Sequence, residues 1–240
     1  APNWARAPAD YWKSWREERD VADRIIVNSQ WSSDTLVQTG IPKEKVSVIP
    51  LAFENNMPSV SPKEYPRQFT ATRPLRVLFL GQINLRKGVA RLLKAAELLR
   101  EEPVEFWMVG PVQCRPPEHL QALPNVRWFG RVPNSAASDY YRRADVFILP
   151  TLSDGFALTQ LEAQAYALPL IASKNCGNVV RHGVNGLLLD EPTSEAIVSA
   201  MQSCLRSPEQ LAAFSSRSRV ADQFSVTALG QRLRALQAAL

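Results

Sequence analysis

Apolar positions along this chain follow two rhythms that alternate. From residue 76 onward, short and nearly unbroken apolar runs recur: Arg76–Leu80 (RVLFL), Glu105–Val109 (EFWMV), Val126–Phe129, Val146–Leu149 (VFIL), Leu170–Ala172 and Gly186–Leu189. Strands covered on both faces require runs of this kind. Between them lie stretches with helical spacing, at Val89–Arg100, Ser135–Arg143 and Leu158–Ala167. Alternating strand and helix predicts an α/β fold with a doubly wound parallel sheet. The chain finishes with helical segments, the last near Ala228–Ala239.

Ahead of this pattern stands a smaller unit. Residues 9–20 read as a helix, Arg24–Asn28 as a strand, Ser29–Thr39 as a helix stopped by Gly40 and Pro42, and Val46–Ile49 as a second strand. One β-α-β unit cannot enclose a core alone. It is either an odd N-terminal subdomain or the tail of a larger one. Pro50, Pro58, Pro62, Pro66 and Pro74 then punctuate a stretch without helical or strand period, which reads as a linker.

Composition narrows the class. At 240 residues, with 45% hydrophobic and 21% charged, the chain has the balance of a soluble globular protein. It carries neither an apolar run long enough to span a bilayer nor a signal-peptide pattern. The three cysteines, Cys114, Cys176 and Cys204, are odd in number and lack C-x-x-C spacing, and His119 and His182 lack metal-ligand spacing. No metal site is expected, and a reducing cytoplasm is the simplest home. The net charge of +5 suits an anionic ligand or an anionic membrane surface. Nucleic acid is disfavoured because the cations are scattered and no aromatic-basic block accompanies them.

In a doubly wound sheet, ligands bind beyond the C-terminal ends of the strands. Two loops there carry chemistry. The first, Gly81-Gln82-Ile83-Asn84-Leu85-Arg86-Lys87-Gly88, sets two adjacent cations at the start of a helix, where backbone amides and a lysine suit a diphosphate. It fits neither the P-loop nor the G-x-G-x-x-G pattern, and alone it could be a plain turn. The second runs from Pro150 through Asp154, Gly155, Phe156, Ala157 and Leu158 to Glu162. Gly155 allows close backbone approach. Amides near Ala157 to Thr159 start a helix whose dipole favours an anion. Glu162 lies about one turn in, where its carboxylate can accept both hydroxyls of a ribose. The bland alternative makes Asp154 a cap-region residue and Glu162 a surface acid.

The ordered whole is more specific than either loop. DGFALTQLEAQAYALPLIAS (Asp154–Ser173) resembles the signature of retaining GT-B glycosyltransferases, the large family 4 group also called glycosyl transferases group 1. GQINLRKG, WMVG (Trp107–Gly110), NVRWFGRV (Asn125–Val132), YYRRADVFILPTLSDGF and HGVNGLLL (His182–Leu189) are similar to further stretches of that family in order, and so are ADRIIVNSQWSSDTL and VIPLAFE ahead of them. The resemblance covers roughly residues 20–215 and implies the following. Residues 1–50 are the tail of an acceptor-binding N-terminal domain, 51–74 an interdomain linker, 75–225 a nucleotide-sugar-binding Rossmann-like domain, and 226–240 a helix crossing back to the first domain. Most of that first domain is then missing from this chain, which opens on Ala1. A compact single-domain relative stays open.

The same resemblance assigns roles. Lys87 and Asp154 are the expected catalytic residues, Lys87 on the donor diphosphate and Asp154 on the donor sugar. Glu162 binds the ribose, and the backbone from Gly155 through Phe156 and Ala157 to Leu158 offers amides. Gly81, Gln82 and Arg86 complete the diphosphate loop, and Gly110 and Arg131 lie beside the base. The donor is a nucleotide-diphosphate sugar, the acceptor an unidentified saccharide or glycolipid hydroxyl, and no cofactor is required. The location implied is cytoplasmic, with peripheral membrane contact compatible with the basic charge. Two departures stand out: Asp154 replaces the family's usual Glu, and Gln82 replaces an Arg, removing a charge-assisted bond. They keep open a second reading, a non-catalytic nucleotide-sugar-binding module with a decayed site.

Overall fold

A computed structural model describes residues 7–54 and 60–239. Pro58 of the linker and the first six residues therefore lie outside the described residues. The small unit contains α1 (Ala9–Val21), β1 (Ile25–Val27), α2 (Gln30–Gln38) and β2 (Val46–Val48), with β1 and β2 paired in parallel. The Ser29 side chain accepts from the Ser32 amide and so caps α2, the ordinary device for a helix start. No residue of α1 is buried, and Tyr11, Trp12 and Val21 stand exposed on it.

The larger unit begins at β3 (Leu75–Leu80), followed by α3 (Val89–Leu98), β4 (Val104–Val109), α4 (Glu118–Gln121), β5 (Val126–Gly130), α5 (Asn134–Arg143) and β6 (Val146–Leu149). It continues with α6 (Leu158–Ala165), β7 (Leu170–Ser173), β8 (Gly186–Leu189), α7 (Ser194–Arg206), α8 (Pro208–Arg217) and α9 (Val226–Gln237). Six strands form one sheet in the order β5-β4-β3-β6-β7-β8, parallel at every pairing. This is the doubly wound arrangement the alternation predicts. Every residue of β6 and β7 is buried, as helices on both faces demand.

The proline-punctuated stretch forms neither helix nor strand among its described residues, yet it is fastened to the large unit. Tyr65 donates to the Asp145 carbonyl, Phe69 is buried in the core, and Lys63 Nζ donates to the carbonyls of Tyr141 and Arg142 at the end of α5. Burial pushes the Lys63 ammonium down to about 8. Arg73 grips Asp145 through two 2.7 Å bonds while the Arg76 amide donates to the same carboxylate at 2.8 Å. Asp145, part of the family-like Ala-Asp pair, thus ties the entry of β3 to that of β6, at the opposite end of the sheet from the two chemical loops.

Helix α6 stops two residues short of the sequence expectation. Ala167 turns to a φ of +54°, and the Leu168 amide closes back on the Ala163 carbonyl. This left-handed end is the position glycine fills best. Ala167→Gly is therefore expected to stabilise the fold by about 1 kcal/mol, read as a raised denaturant midpoint with an unchanged slope. An unchanged or lowered midpoint would show that the strain is relieved elsewhere. Among the described residues, no helix is long and apolar enough to cross a membrane.

Candidate functional site

Strand order reverses between β3 and β6, the place beyond the strands' C-terminal ends where open α/β sheets form their ligand crevice. The two loops singled out from sequence are the two that leave these strands. They lie side by side, in direct contact.

The first loop is shaped by its own residues. Ile83 is fully buried and exchanges backbone bonds with Pro111 and Gln113, pinning the loop to the one after β4. Asn84 then accepts from the Lys87 amide and starts a single 3₁₀ turn, Leu85–Lys87, which carries both cations. Gly88 ends that turn at φ +76°, and a Cβ there would lie 1.9 Å from the Pro150 carbonyl oxygen. Further back, a Cβ on Gly110 would lie 1.9 Å from the Gly81 oxygen, so β3 and β4 leave the sheet in backbone contact. Glycine is the residue that permits such approaches.

The second loop is bonded to the first. The Leu152 amide and the Thr151 hydroxyl donate to the Arg86 carbonyl at 2.8 and 3.0 Å, and the Arg86 guanidinium donates to the Ser153 carbonyl at 2.8 Å. Lys87 Nζ forms a direct ion pair with Asp154 Oδ2, both side chains 15% exposed. Arg86 stands 3.7 Å from the other carboxylate oxygen. Two cations and one anion therefore meet at a partly desolvated point, where Coulomb interactions are stronger than at an open surface.

A third loop, after β7, supports the second from behind. The Asp154 amide donates to the Asn175 carbonyl, Asn175 Nδ2 to the Leu152 carbonyl, and Ser173 to the Thr151 carbonyl. Cys176 is buried there, and burial, helped by the Asp154 charge, pushes its thiol up to about 12. It is a packing residue. The small unit meets the same place: a Cβ on Gly155 would stand 3.2 Å from Asn28 Oδ1 and 3.3 Å from Ser32 Oγ.

Helix α6 starts at this junction without a side-chain cap. Glu162, one turn in, accepts a 2.6 Å hydrogen bond from the Tyr141 hydroxyl. The family described as Glycosyl transferases group 1 matches residues 74–207, more than half of the chain. The chain belongs to that family. Relatives agree with the group 1 assignment. The D-inositol 3-phosphate glycosyltransferase of Thermobispora bispora is 30% identical over 236 residues, covering 89% of this chain and 55% of its own length. The chain spans about half the length of the curated relatives it matches. Among solved structures, Anabaena HepE in complex with UDP and glucose superposes with a TM-score of 0.76 at 19% identity, covering 98% of this chain and 68% of that one. Sucrose-phosphate synthase from Thermosynechococcus elongatus gives 0.72 at 22% identity, with 98% and 65% covered. At such identities these likenesses show the fold.

Set within the group 1 fold, the expected residues divide. Arg86, Lys87, Asp154 and Gly155 come together, and Glu162 lies on the helix that begins beside them. Gln82 and Arg131 are exposed on neighbouring loops, and Gly81 and Gly110 bring the ends of β3 and β4 into backbone contact. One expectation needs correction. The Ala157 amide is not free, because it donates to the Cys176 carbonyl at 3.2 Å; among the described residues the Leu158 and Thr159 amides at the helix start have no hydrogen-bond acceptor. The Phe156 side chain is buried, its ring 5.6 Å from that of Phe224 and tilted by 59° to it, and it holds the loop down. Three contributors went unread in the sequence: Asn84, Asn175 and Tyr141. An Asn three residues ahead of Lys87 was the available signal for the first. Among the described residues, no group of three His, Cys, Asp or Glu side chains is placed to hold a metal ion.

Proposed function

We propose that this chain is the donor-binding half of a glycosyltransferase, an enzyme that transfers a sugar from a nucleotide-diphosphate donor to an acceptor hydroxyl with retention. The observation that carries this is the convergence of Arg86, Lys87, Asp154 and the open α6 amides at the switch point of the sheet. The UDP and glucose named for HepE, and the glycosyltransferase names of the relatives, support it.

In the resting protein Asp154 occupies Lys87. An arriving diphosphate competes for that lysine, with Arg86 and the amides of Leu158 and Thr159 as further donors. Asp154 is then released toward the hydroxyls of the donor sugar, and Glu162 takes the ribose diol. During transfer the bond from the anomeric carbon to the diphosphate oxygen breaks, and its electron pair leaves with the diphosphate. Lys87 and the helix start stabilise that charge. The acceptor oxygen bonds the same face of the sugar and loses its proton to the departing diphosphate.

The small unit and α9 fit the role of parts of a first domain. No residue of α1 or α9 is buried, and a hollow of about 640 Å³ between α1, β1 and α2 is lined by Trp15, Ile25, Val27, Trp31, Leu36 and Ile41. That open apolar surface suits the packing of further acceptor-side structure, and the 240-residue chain by itself is expected to bind donor and turn it over little.

Calorimetry with UDP, GDP, ADP and their sugar conjugates tests the reading, with a Lys87→Ala, Glu162→Ala variant as control. Selective binding of one nucleotide diphosphate, lost in the variant, is the expected result. A folded chain that binds none of the panel would overturn the donor-site assignment. The decayed-module alternative is decided by turnover of the donor that the panel selects. Asp154→Glu with Gln82→Arg should raise turnover if the site is tuned, and gain nothing if it is decayed.

A further inference from the structure

Glu162 is not a free carboxylate on a helix surface. Among the described residues its hydrogen-bond partner is a neutral hydroxyl, that of Tyr141, at 2.6 Å. Tyr141 is 2% exposed. Its ring stacks on Tyr166 at 5.3 Å with the planes 9° apart, and Phe147 lies 6.2 Å away. Tyr166 sits one turn beyond Glu162, so the ring and the hydroxyl of one tyrosine bind two successive turns of the same chain segment. The backbone of Tyr141 is fixed as well, because its carbonyl accepts from Lys63 at 2.9 Å. Burial first, and the Glu162 charge second, push the phenol well above its ordinary range, so it remains a donor.

A glutamate gripping a vicinal diol must present its oxygens in one orientation. Left alone, its side chain samples several rotamers and pays for ordering on binding. A cationic partner would fix the carboxylate but compete for its charge. A buried tyrosine fixes it through one lone pair of Oε2, leaving Oε1 and the remaining Oε2 lone pair to accept. We propose that Tyr141 is the positioning residue for Glu162, setting the carboxylate in the plane that receives the two ribose hydroxyls. The proposal rests on the donor-site reading above.

Tyr141→Phe keeps the ring and its stack and removes only the hydroxyl. The measurement is the affinity of the 240-residue chain for whichever nucleoside diphosphate the calorimetric panel selects, and for its 2′,3′-dideoxy counterpart. The unaltered chain should prefer the ribonucleotide by ~10-fold or more, as hydrogen bonds to a charged acceptor imply. In Tyr141→Phe most of that preference should vanish while dideoxy affinity is unchanged. Glu162→Gln should behave alike, and the double variant no worse than Glu162→Gln alone. If Tyr141→Phe keeps the full preference while Glu162→Gln loses it, the positioning role is wrong and the donor site stands. Equal weakening of both nucleotides would mean a packing role only, and would also overturn it. If the unaltered chain shows no ribose preference, or binds no nucleotide, the Glu162 assignment falls and takes the proposal with it.

Discussion

Lys87→Ala should cost at least ~100-fold in affinity for the nucleotide diphosphate, equivalent to ~2.7 kcal/mol. Two effects combine. The substitution removes the cation best placed for the diphosphate. It also strips Asp154 of its close partner, leaving Arg86 at 3.7 Å as the remaining cation beside that carboxylate. An anion already in the crevice then repels the anion that should enter. The second effect can be separated from the first. Lys87→Ala combined with Asp154→Ala should bind more tightly than Lys87→Ala alone, because the unpaired carboxylate is gone. Isothermal titration of the four proteins closes the cycle and yields the coupling between the pair. A Lys87→Ala protein that is folded and binds as the unaltered chain does would place the diphosphate elsewhere.

The strands were legible because burial on both sheet faces demands continuous apolar runs, and Val146–Leu149 appears in the structure with the bounds its sequence suggests. The helices were legible where an amphipathic period ran for two turns or more, as at Val89–Leu98. Helix α4 has four residues and the 3₁₀ turns three, too short to show any period. Which residues line the crevice could be read from loop position and resemblance. Who bonds to whom could not. Lys87 and Asp154 are 67 positions apart, Tyr141 and Glu162 are 21 apart, and such pairings leave no local trace. The Ala157 amide is spent on Cys176 because the β7 loop folds beneath it, which depends on strand order rather than on any residue near Ala157. In the linker, the prolines correctly signalled irregular backbone. Tyr65 and Phe69 were the sign, unread, that this backbone would lie against the core.

The larger structural effect is expected at Gly88, where fold and site depend on one missing atom. Gly88 lies in the left-handed region at φ +76°, and an added Cβ would fall 1.9 Å from the Pro150 oxygen and 2.8 Å from its carbonyl carbon. The obstacle is backbone and cannot swing aside. Pro150 directly follows Leu149, which is 1% exposed, and Thr151 is held by Ser173. Alanine at a positive φ costs ~1 kcal/mol from conformation alone. Moving the two loops apart breaks the Leu152-to-Arg86 and Thr151-to-Arg86 bonds, which adds ~1 kcal/mol for each. Gly88→Ala should therefore destabilise the chain by roughly 3 kcal/mol, lowering Tm by about 6–12 °C for a domain of this size. It should also abolish nucleotide binding, since Arg86 and Lys87 would be displaced from Asp154 and the α6 amides. Gly40 supplies the control. It has φ +91° but nothing within 4 Å of an added Cβ, so Gly40→Ala meets the conformational cost without the collision. It should lose only ~1 kcal/mol and leave nucleotide affinity unchanged. Equal losses at the two glycines would mean that the loops can part freely, and that the close contact between them is not what assembles the site.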